Sequence, residues 1–164
     1  MLTPEQAPKD YRSGFVALIG RPNVGKSTWL NQVVGKKIAI TSPVAQTTRK
    51  RLKAILTSQR AQLVIVDTPG IHKPHHLLGE RLVKSARSMI GQVDVVLLIL
   101  DASSPPGRGD GFIVDLLQQK NIPPVLVCLN KWDLVEENQK DQRKESYLSL
   151  ISSNNWSIFC CSAL

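Results

Sequence analysis

Residues 20–28 read GRPNVGKST, and the spacing of their glycines and of the Lys-Ser pair is that of a phosphate-holding loop. Gly20 and Gly25 permit backbone conformations in which N–H groups approach phosphate oxygens, and the helix predicted to follow adds its positive N-terminal end. Lys26 would contact the β- and γ-phosphates, and the Ser27 hydroxyl would bind Mg²⁺. The alternative is a glycine turn before an amphipathic helix. The candidate phosphate-binding residues are Gly20, Arg21, Pro22, Asn23, Val24, Gly25, Lys26, Ser27 and Thr28.

A second motif, DTPG at residues 67–70, follows the apolar run LVIV. Asp67 could reach a magnesium shell through water, and the Gly70 N–H could approach a γ-phosphate. Thr68 and Pro69 complete this candidate segment. Loss of the γ-phosphate would release it together with the polar loop at residues 36–49, as in the order-to-disorder switch of GTPases.

A third motif, NKWD at residues 130–133, selects the base. The Asp133 carboxylate can accept two hydrogen bonds from guanine, whereas adenine would leave it unpaired and desolvated. Asn130 acts with Asp133, and the Lys131 stem can lie over the base. In the sequence CSAL, Ser162 precedes Ala163, whose N–H can meet the guanine carbonyl oxygen. An ATP-dependent enzyme is the alternative only if Asp133 points away.

Apolar runs of strand length alternate with segments of helical periodicity, which indicates an α/β fold with a parallel sheet. Because the carboxyl ends of parallel strands lie along one edge, the three motifs are predicted to surround one site. The predicted strands are 15–20, 52–57, 63–66, 94–103, 124–129 and 156–161. The predicted helices are 27–34, 80–90, 111–120 and 136–151.

The composition suits one cytosolic domain, with 164 residues and a formal charge of +8 that favours anionic partners. Residues 1–13 are predicted to be a disordered lead. The longest apolar run, 95–100, is far shorter than the roughly 20 residues that cross a bilayer. The three cysteines, Cys128, Cys160 and Cys161, are interpreted as buried thiols of a reducing compartment without a disulfide.

The ordered motifs GRPNVGKST, AQTTRKR, DTPGIHKP, NKWD and CSAL resemble the G domain of the Era family of translation-related GTPases, within the TrmE-Era-EngA-like superfamily. The resemblance covers residues 14–164. It implies a three-layer P-loop NTPase fold whose six-stranded sheet is mostly parallel, with one antiparallel edge strand. It also implies hydrolysis of GTP to GDP and phosphate with Mg²⁺. The implied role is in 30S ribosomal subunit assembly and 16S rRNA processing, by a cytoplasmic monomer that associates peripherally with acidic membrane at the inner face.

The same resemblance assigns further residues. Thr48, with Thr47 as the next choice, matches the switch threonine that joins Ser27 and Asp67 in binding magnesium. Asn23 matches a position that coordinates K⁺ in some members. The residues implied to take part in catalysis are Lys26, Thr48, Gly70 and Asn23.

Ile71 stands where many GTPases carry a water-orienting glutamine, so slow intrinsic turnover is predicted. The histidines at 72, 75 and 76 are interpreted as solvated or switch-loop residues in preference to a metal site.

Two parts of the family pattern are not found in the sequence: the KH RNA-binding domain and the helix after the last strand. That helix covers one face of the sheet, so apolar surface is expected to be exposed there. The alternatives to a GTP-hydrolysing switch are a nucleotide-binding regulatory module that does not hydrolyse GTP, or a fragment without function.

Overall fold

A computed structural model of the chain describes residues 8, 10–34, 52–67, 77–151 and 155–163. Within these ranges strands alternate with helices, as the periodicity predicts. The strands are β1 (Arg12–Ile19), β2 (Leu52–Thr57), β3 (Ala61–Asp67), β4 (Val95–Asp101), β5 (Val125–Asn130) and β6 (Ser157–Cys160). The helices are α1 (Lys26–Val34), α2 (Leu77–Ile90), α3 (Arg108–Leu117) and α4 (Lys140–Ile151).

The strands form one sheet in the order β2-β3-β1-β4-β5-β6. Every neighbouring pair is parallel except β2 and β3, so the edge strand β2 is antiparallel. The register aligns Leu18 of β1 with Asp67 of β3 and with Leu97 of β4. The prediction of a mostly parallel six-stranded sheet with one antiparallel edge strand is therefore confirmed.

Both faces of the sheet are covered by helices, which gives three layers. On one face, α2, α3 and α4 pack against the sheet through side chains such as Ile90, Ile113 and Tyr147, none of which is exposed. On the other face, Leu30 and Val34 of α1 pack over Ile65 and Ile99. Strands buried on both sides must be apolar along their length, and β4 has this pattern.

On the face that carries α1, two apolar side chains of β5 and β6 are exposed. Phe159 of β6 is aligned with Cys128 of β5, and Leu126 lies two residues earlier on the same face of β5. Leu126 is 38% exposed and Phe159 is 56% exposed. The expected exposure of apolar surface is confirmed at these two side chains.

The start of α4 differs from the prediction. Residues 136–151 were predicted to form one helix, but α4 begins at Lys140. Glu137–Gln139 forms a separate 3₁₀ turn, in which the Gln139 N–H donates to Glu136 O at 2.9 Å. A tight turn leads into many α-helices, and charged periodicity does not distinguish the two geometries.

The carboxyl ends of the strands place polar residues along one edge of the sheet. The loop from Gly20 follows β1, while β3, β4 and β5 end in Asp67, Asp101 and Asn130. Among the helices in the described ranges, none is long and apolar enough to cross a membrane.

Candidate nucleotide-binding site

The loop between β1 and α1 has the backbone that its glycines predict. Gly25 has φ +96° and Asn23 has φ +64°, both in the left-handed region that reorients successive N–H groups. A Cβ on Gly20 would lie 2.4 Å from Ile99 O, so this residue passes too close to β4 for any side chain. The first turn of α1 begins where the Trp29 N–H donates to Gly25 O at 2.8 Å. Glycine is therefore required at both ends of the loop.

Lys26 folds over this loop. Its Nζ donates to Gly20 O at 2.9 Å and to Arg21 O at 2.5 Å, so the ammonium lies on the backbone of residues that precede it. Phosphate oxygens are stronger acceptors of a charged donor than neutral carbonyls. The ammonium is thus held within the predicted phosphate loop.

Asn130 joins the loop to the motifs that follow β5 and β6. Its side chain is buried, with the residue 2% exposed. Nδ2 donates to Val24 O at 2.9 Å, and Oδ1 accepts the Ala163 N–H at 3.1 Å. A Cβ on Gly25 would lie 2.2 Å from Asn130 Nδ2. The Asn130 amide therefore connects the phosphate loop, the end of β5 and the loop after β6. Sequence reasoning had assigned Asn130 only to recognition of the base.

Asp133 lies in the short 3₁₀ turn Trp132–Leu134 after β5. Its N–H donates to Ser162 Oγ at 3.1 Å, and the Trp132 N–H donates to Cys161 O at 3.1 Å. The Asp133 residue is exposed, and its carboxylate has no hydrogen-bonding partner among the described residues. The backbone of this turn is fixed while the carboxylate stays available to a ligand.

Lys131 connects this turn to the end of β4. It adopts a left-handed backbone with φ +61°, and its Nζ lies 2.6 Å from Asp101 Oδ2. Burial acts to raise the pKa of Asp101, but hydrogen bonds from Lys131 and Ser103 outweigh it and lower the pKa below its usual value. Sequence reasoning missed Asp101, although it ends an apolar strand just as Asp67 does.

Arg21 forms the corresponding connection on the other side of the loop. Its Nε lies 2.7 Å from Oδ1 of Asp110, a residue near the start of α3 that is not exposed at all. Sequence reasoning grouped Arg21 with the phosphate-binding residues and did not identify Asp110. Because the two residues are 89 positions apart, no local sequence pattern predicts that they pair.

The predicted magnesium residues are only partly described. Ser27 is exposed in the first turn of α1, and Asp67 ends β3 beside β1. A hydroxyl and a carboxylate are the hard oxygen donors that Mg²⁺ prefers, so these two residue types fit the ion. Four predicted site residues, Thr48, Thr68, Pro69 and Gly70, lie outside the described residues, as do Ile71 and the three histidines.

The remaining predicted residues of the loop lie at its surface. Pro22, Asn23 and Thr28 are exposed, whereas Val24 is 1% exposed and packs into the cluster under α1. Val24 therefore anchors the loop while its neighbours face outward.

The interpretation of the cysteines was wrong. Cys128 of β5 forms a disulfide with Cys161, and Cys160 is exposed and free. The Cys161 N–H donates to Leu129 O at 2.9 Å, which extends the parallel pairing of β5 and β6 by one residue. The Cys161 sulfur also lies 3.8 Å from Asn130 Oδ1. A pairing over 33 residues depends on strand register, which spacing alone did not reveal.

Residues 15–131 match the sequence profile of a family described as 50S ribosome-binding GTPases. GTPase Era of Synechocystis sp. is 56% identical over 162 residues, which span 99% of this chain and 51% of that protein. GTPase Era of Crocosphaera subtropica is 55% identical over 96% of this chain and 50% of its own length. The chain thus spans about half the length of these relatives.

Solved structures agree with the sequence matches. The structure of Era in complex with MgGDPNP and nucleotides 1506–1542 of 16S ribosomal RNA has a TM-score of 0.75 and 33% identity, and the match covers 94% of this chain and 52% of that one. A single-residue variant of Aquifex aeolicus Era bound to GDP·AlF₄⁻ has a TM-score of 0.68 and 32% identity, over 93% and 52% of the two chains. The resemblance to Era is confirmed, and the chain belongs to the family of 50S ribosome-binding GTPases.

Proposed function

We propose that this chain binds GTP at the carboxyl edge of its sheet and hydrolyses it to GDP and phosphate. The observation that carries the proposal is the position of Asn130, whose amide joins Val24 of the phosphate loop to Ala163 of the last loop. Segments suited to phosphates and to a base are thereby adjacent, which supports a single nucleotide site. The same bonds hold the NKWD turn beside the phosphate loop.

Recognition of guanine would rest on Asp133. Its carboxylate is exposed and has no partner among the described residues, while its backbone is held by Ser162. Guanine supplies two adjacent donors to such a group, and adenine presents a lone pair there. The geometry favours a guanine nucleotide over the ATP alternative.

The phosphates would be held by the glycine loop, the N-terminus of α1 and Lys26. The Lys26 ammonium lies against two loop carbonyls, from which it would turn to the β- and γ-phosphates. Ser27 and Asp67, with Thr48, would hold Mg²⁺, which when bound neutralises charge on the transferred phosphoryl group. The Gly70 N–H would contact the γ-phosphate, with Thr68 and Pro69 completing its segment.

Slow intrinsic hydrolysis is expected because Ile71 offers no group to orient water. Asn23, exposed with a left-handed backbone in the loop, is the proposed ligand of K⁺. Phosphate release at equal ionic strength in potassium and sodium chloride tests this role. Equal rates would reject it.

The decisive experiment changes the preferred base from guanine to xanthine by substituting Asp133. In Asp133→Asn the ratio of GTP to XTP affinity should fall on the order of 10⁴-fold, because the amide cannot accept both guanine donors but can donate to xanthine. Competition against a fluorescent GDP analogue measures it. Asp115→Asn, an equivalent change at an exposed position of α3, is the matched control. An unchanged ratio in Asp133→Asn would refute guanine recognition by this residue.

The alternative of a non-hydrolysing regulatory module is favoured only by Ile71. Single-turnover phosphate release from the purified chain distinguishes it from a GTPase. Binding of GTP without release would support the regulatory module, and absence of binding would support a fragment without function.

We also propose that the protein acts with the small ribosomal subunit and its rRNA. Support comes from the similar Era structure, which contains a 16S rRNA fragment, although that chain is about twice as long. A cytoplasmic monomer with peripheral association to acidic membrane remains the prediction of the resemblance. Binding of the corresponding 16S fragment by this chain, with and without GTP, tests the RNA partner.

A further inference from the structure

A buried ion pair connects the phosphate loop to α3. The carboxylate of Asp110 is fully buried, and its two oxygens have different partners. Oδ1 accepts from Arg21 Nε at 2.7 Å, and Oδ2 accepts from the Gly107 N–H at 2.8 Å. A buried carboxylate is tolerated only when it is paired and hydrogen-bonded, and here both conditions are met. Asp110 is therefore fixed at the start of α3 and serves as a rigid anchor.

Arg21 has a second contact through its main chain. Its carbonyl oxygen accepts from Lys26 Nζ at 2.5 Å. Arg21 is thus bound to α3 through its side chain and to the Lys26 ammonium through its main-chain carbonyl. Asp110, Arg21 and Lys26 form a continuous chain of charged hydrogen bonds from α3 to the phosphate loop.

The path of the Arg21 side chain depends on a glycine. A Cβ on Gly109 would lie 2.6 Å from Arg21 Cδ, closer than real Cβ contacts. Gly109 has no left-handed backbone, so glycine serves here to give Arg21 room. A side chain at position 109 would therefore displace the arginine, whose Nε is held by Asp110.

We propose that Arg21 is a positioning residue, which Asp110 anchors so that the phosphate loop and Lys26 are set for binding the β-phosphate of the nucleotide. The inference rests on the proposed nucleotide function. When Lys26 turns to a phosphate it leaves the Arg21 carbonyl, and the anchored arginine then keeps the loop open. Without the pair, nucleotide binding would have to order the loop, and this ordering weakens affinity.

The effect should depend on which phosphates the ligand carries. GDP has the β-phosphate that Lys26 would contact, and GMP does not. A general loss of stability would weaken both ligands alike. The ratio of GDP affinity to GMP affinity therefore separates positioning from a merely structural role.

The test compares Arg21→Ala, Asp110→Asn and the double variant with Arg108→Ala. Arg108 is an exposed arginine in the first turn of α3 and is the matched control. Each single change should lower the GDP to GMP ratio by about 10- to 100-fold, and the double variant should lose no more than either single one. Arg21→Lys should restore part of the loss.

Gly109→Ala covers the case in which the charge variants do not fold. It keeps both charges, adds a good helix former and displaces the Arg21 stem. We expect the ratio of GDP to GMP affinity to fall at least threefold. A ratio within twofold of wild type in folded Arg21→Ala overturns the inference, and so does an unchanged ratio in Gly109→Ala if the charge variants are unfolded. Failure of the wild-type chain and Arg108→Ala to bind GDP would instead refute the proposed function.

Discussion

The two ends of the site are held by different kinds of interaction. At the base end, a neutral buried amide, Asn130, makes two hydrogen bonds to backbone groups. At the phosphate end, charged groups make the connecting hydrogen bonds: Arg21 pairs with Asp110, and Lys26 donates to loop carbonyls. A neutral amide is insensitive to salt and pH, whereas cations near the loop also attract an anionic ligand. The base end also has the Lys131–Asp101 pair, but its bridge to the phosphate loop is the neutral amide, whereas the phosphate end presents the Lys26 ammonium to an anionic ligand.

Asn130→Ala should break this distinction, because the amide reaches both ends. The change leaves Val24 O and the Ala163 N–H without their partner, so the free energy of unfolding should fall by about 4 kcal/mol. GDP affinity should fall as well. Urea denaturation and nucleotide titration measure the two effects.

Gln119→Ala, which removes an exposed amide after α3, is the control and should behave as wild type. If Asn130→Ala loses nucleotide affinity but keeps its stability, the amide acts on the ligand alone and does not join the two ends.

Reduction of the Cys128–Cys161 disulfide should affect the base end selectively. The bond ties the loop before Ala163 to β5, so its loss should lower the free energy of unfolding by about 3 kcal/mol. Discrimination between GTP and ATP should weaken more than the GDP to GMP ratio. Urea denaturation with and without dithiothreitol gives the first quantity.

Cys161→Ser should abolish the sensitivity to dithiothreitol, and Cys160→Ser, at the free exposed cysteine, should leave it intact. A wild-type chain whose stability is the same in both conditions would contradict the role assigned to this bond.

Tyr147 stabilises residues 101–104, which lead from the base end of the site towards α3. Its hydroxyl donates to Asp101 O at 2.6 Å and lies 3.1 Å from Ser104 O. Asp101 is the partner of Lys131, and Ser104 lies in the segment that leads from β4 to α3, the helix that carries Asp110. Burial, with a further contribution from the Asp110 charge, raises the pKa of Tyr147 from 10.0 to about 12. The folded state therefore keeps the phenolic proton longer than the unfolded state. Its contribution to stability is complete below pH 10 and is lost as the pH rises to 12.

The free-energy advantage of wild type over Tyr147→Phe should therefore shrink by about 2 kcal/mol across that alkaline range. The same pair of proteins at pH 8 supplies the reference. An advantage that stays constant to pH 12 would show that the tyrosine does not titrate against the folded state.

The elements that the sequence predicted best are those with local signals. The bounds of β2 were predicted correctly, because an apolar run ends at a polar turn, and β4 was recognised by its continuous apolar pattern. Gly25 and Lys26 were placed by their spacing in one motif. Asp133 was assigned to base recognition from its motif after an apolar strand; it lies in the turn that follows β5, and its role stays a prediction.

The features that were missed arise between distant parts of the chain. Arg21 and Asp110 are 89 residues apart, and their pairing depends on how α3 packs beside the loop. The Cys128–Cys161 bond depends on the register of β5 and β6. Asn130 was identified, but its bridging role required the positions of Val24 and Ala163. Such contacts follow from tertiary packing, for which a single sequence offers no periodicity.

Gly25 cannot be replaced by another residue, because both its backbone conformation and its contact with Asn130 exclude a side chain. Its φ of +96° excludes most side chains, and the 2.2 Å between an added Cβ and Asn130 Nδ2 excludes them a second time. A smaller residue at 130 would clear the space but would remove the bridge and leave the backbone strained. No single second-site suppressor could therefore rescue an alanine at position 25, because the two obstacles have different origins.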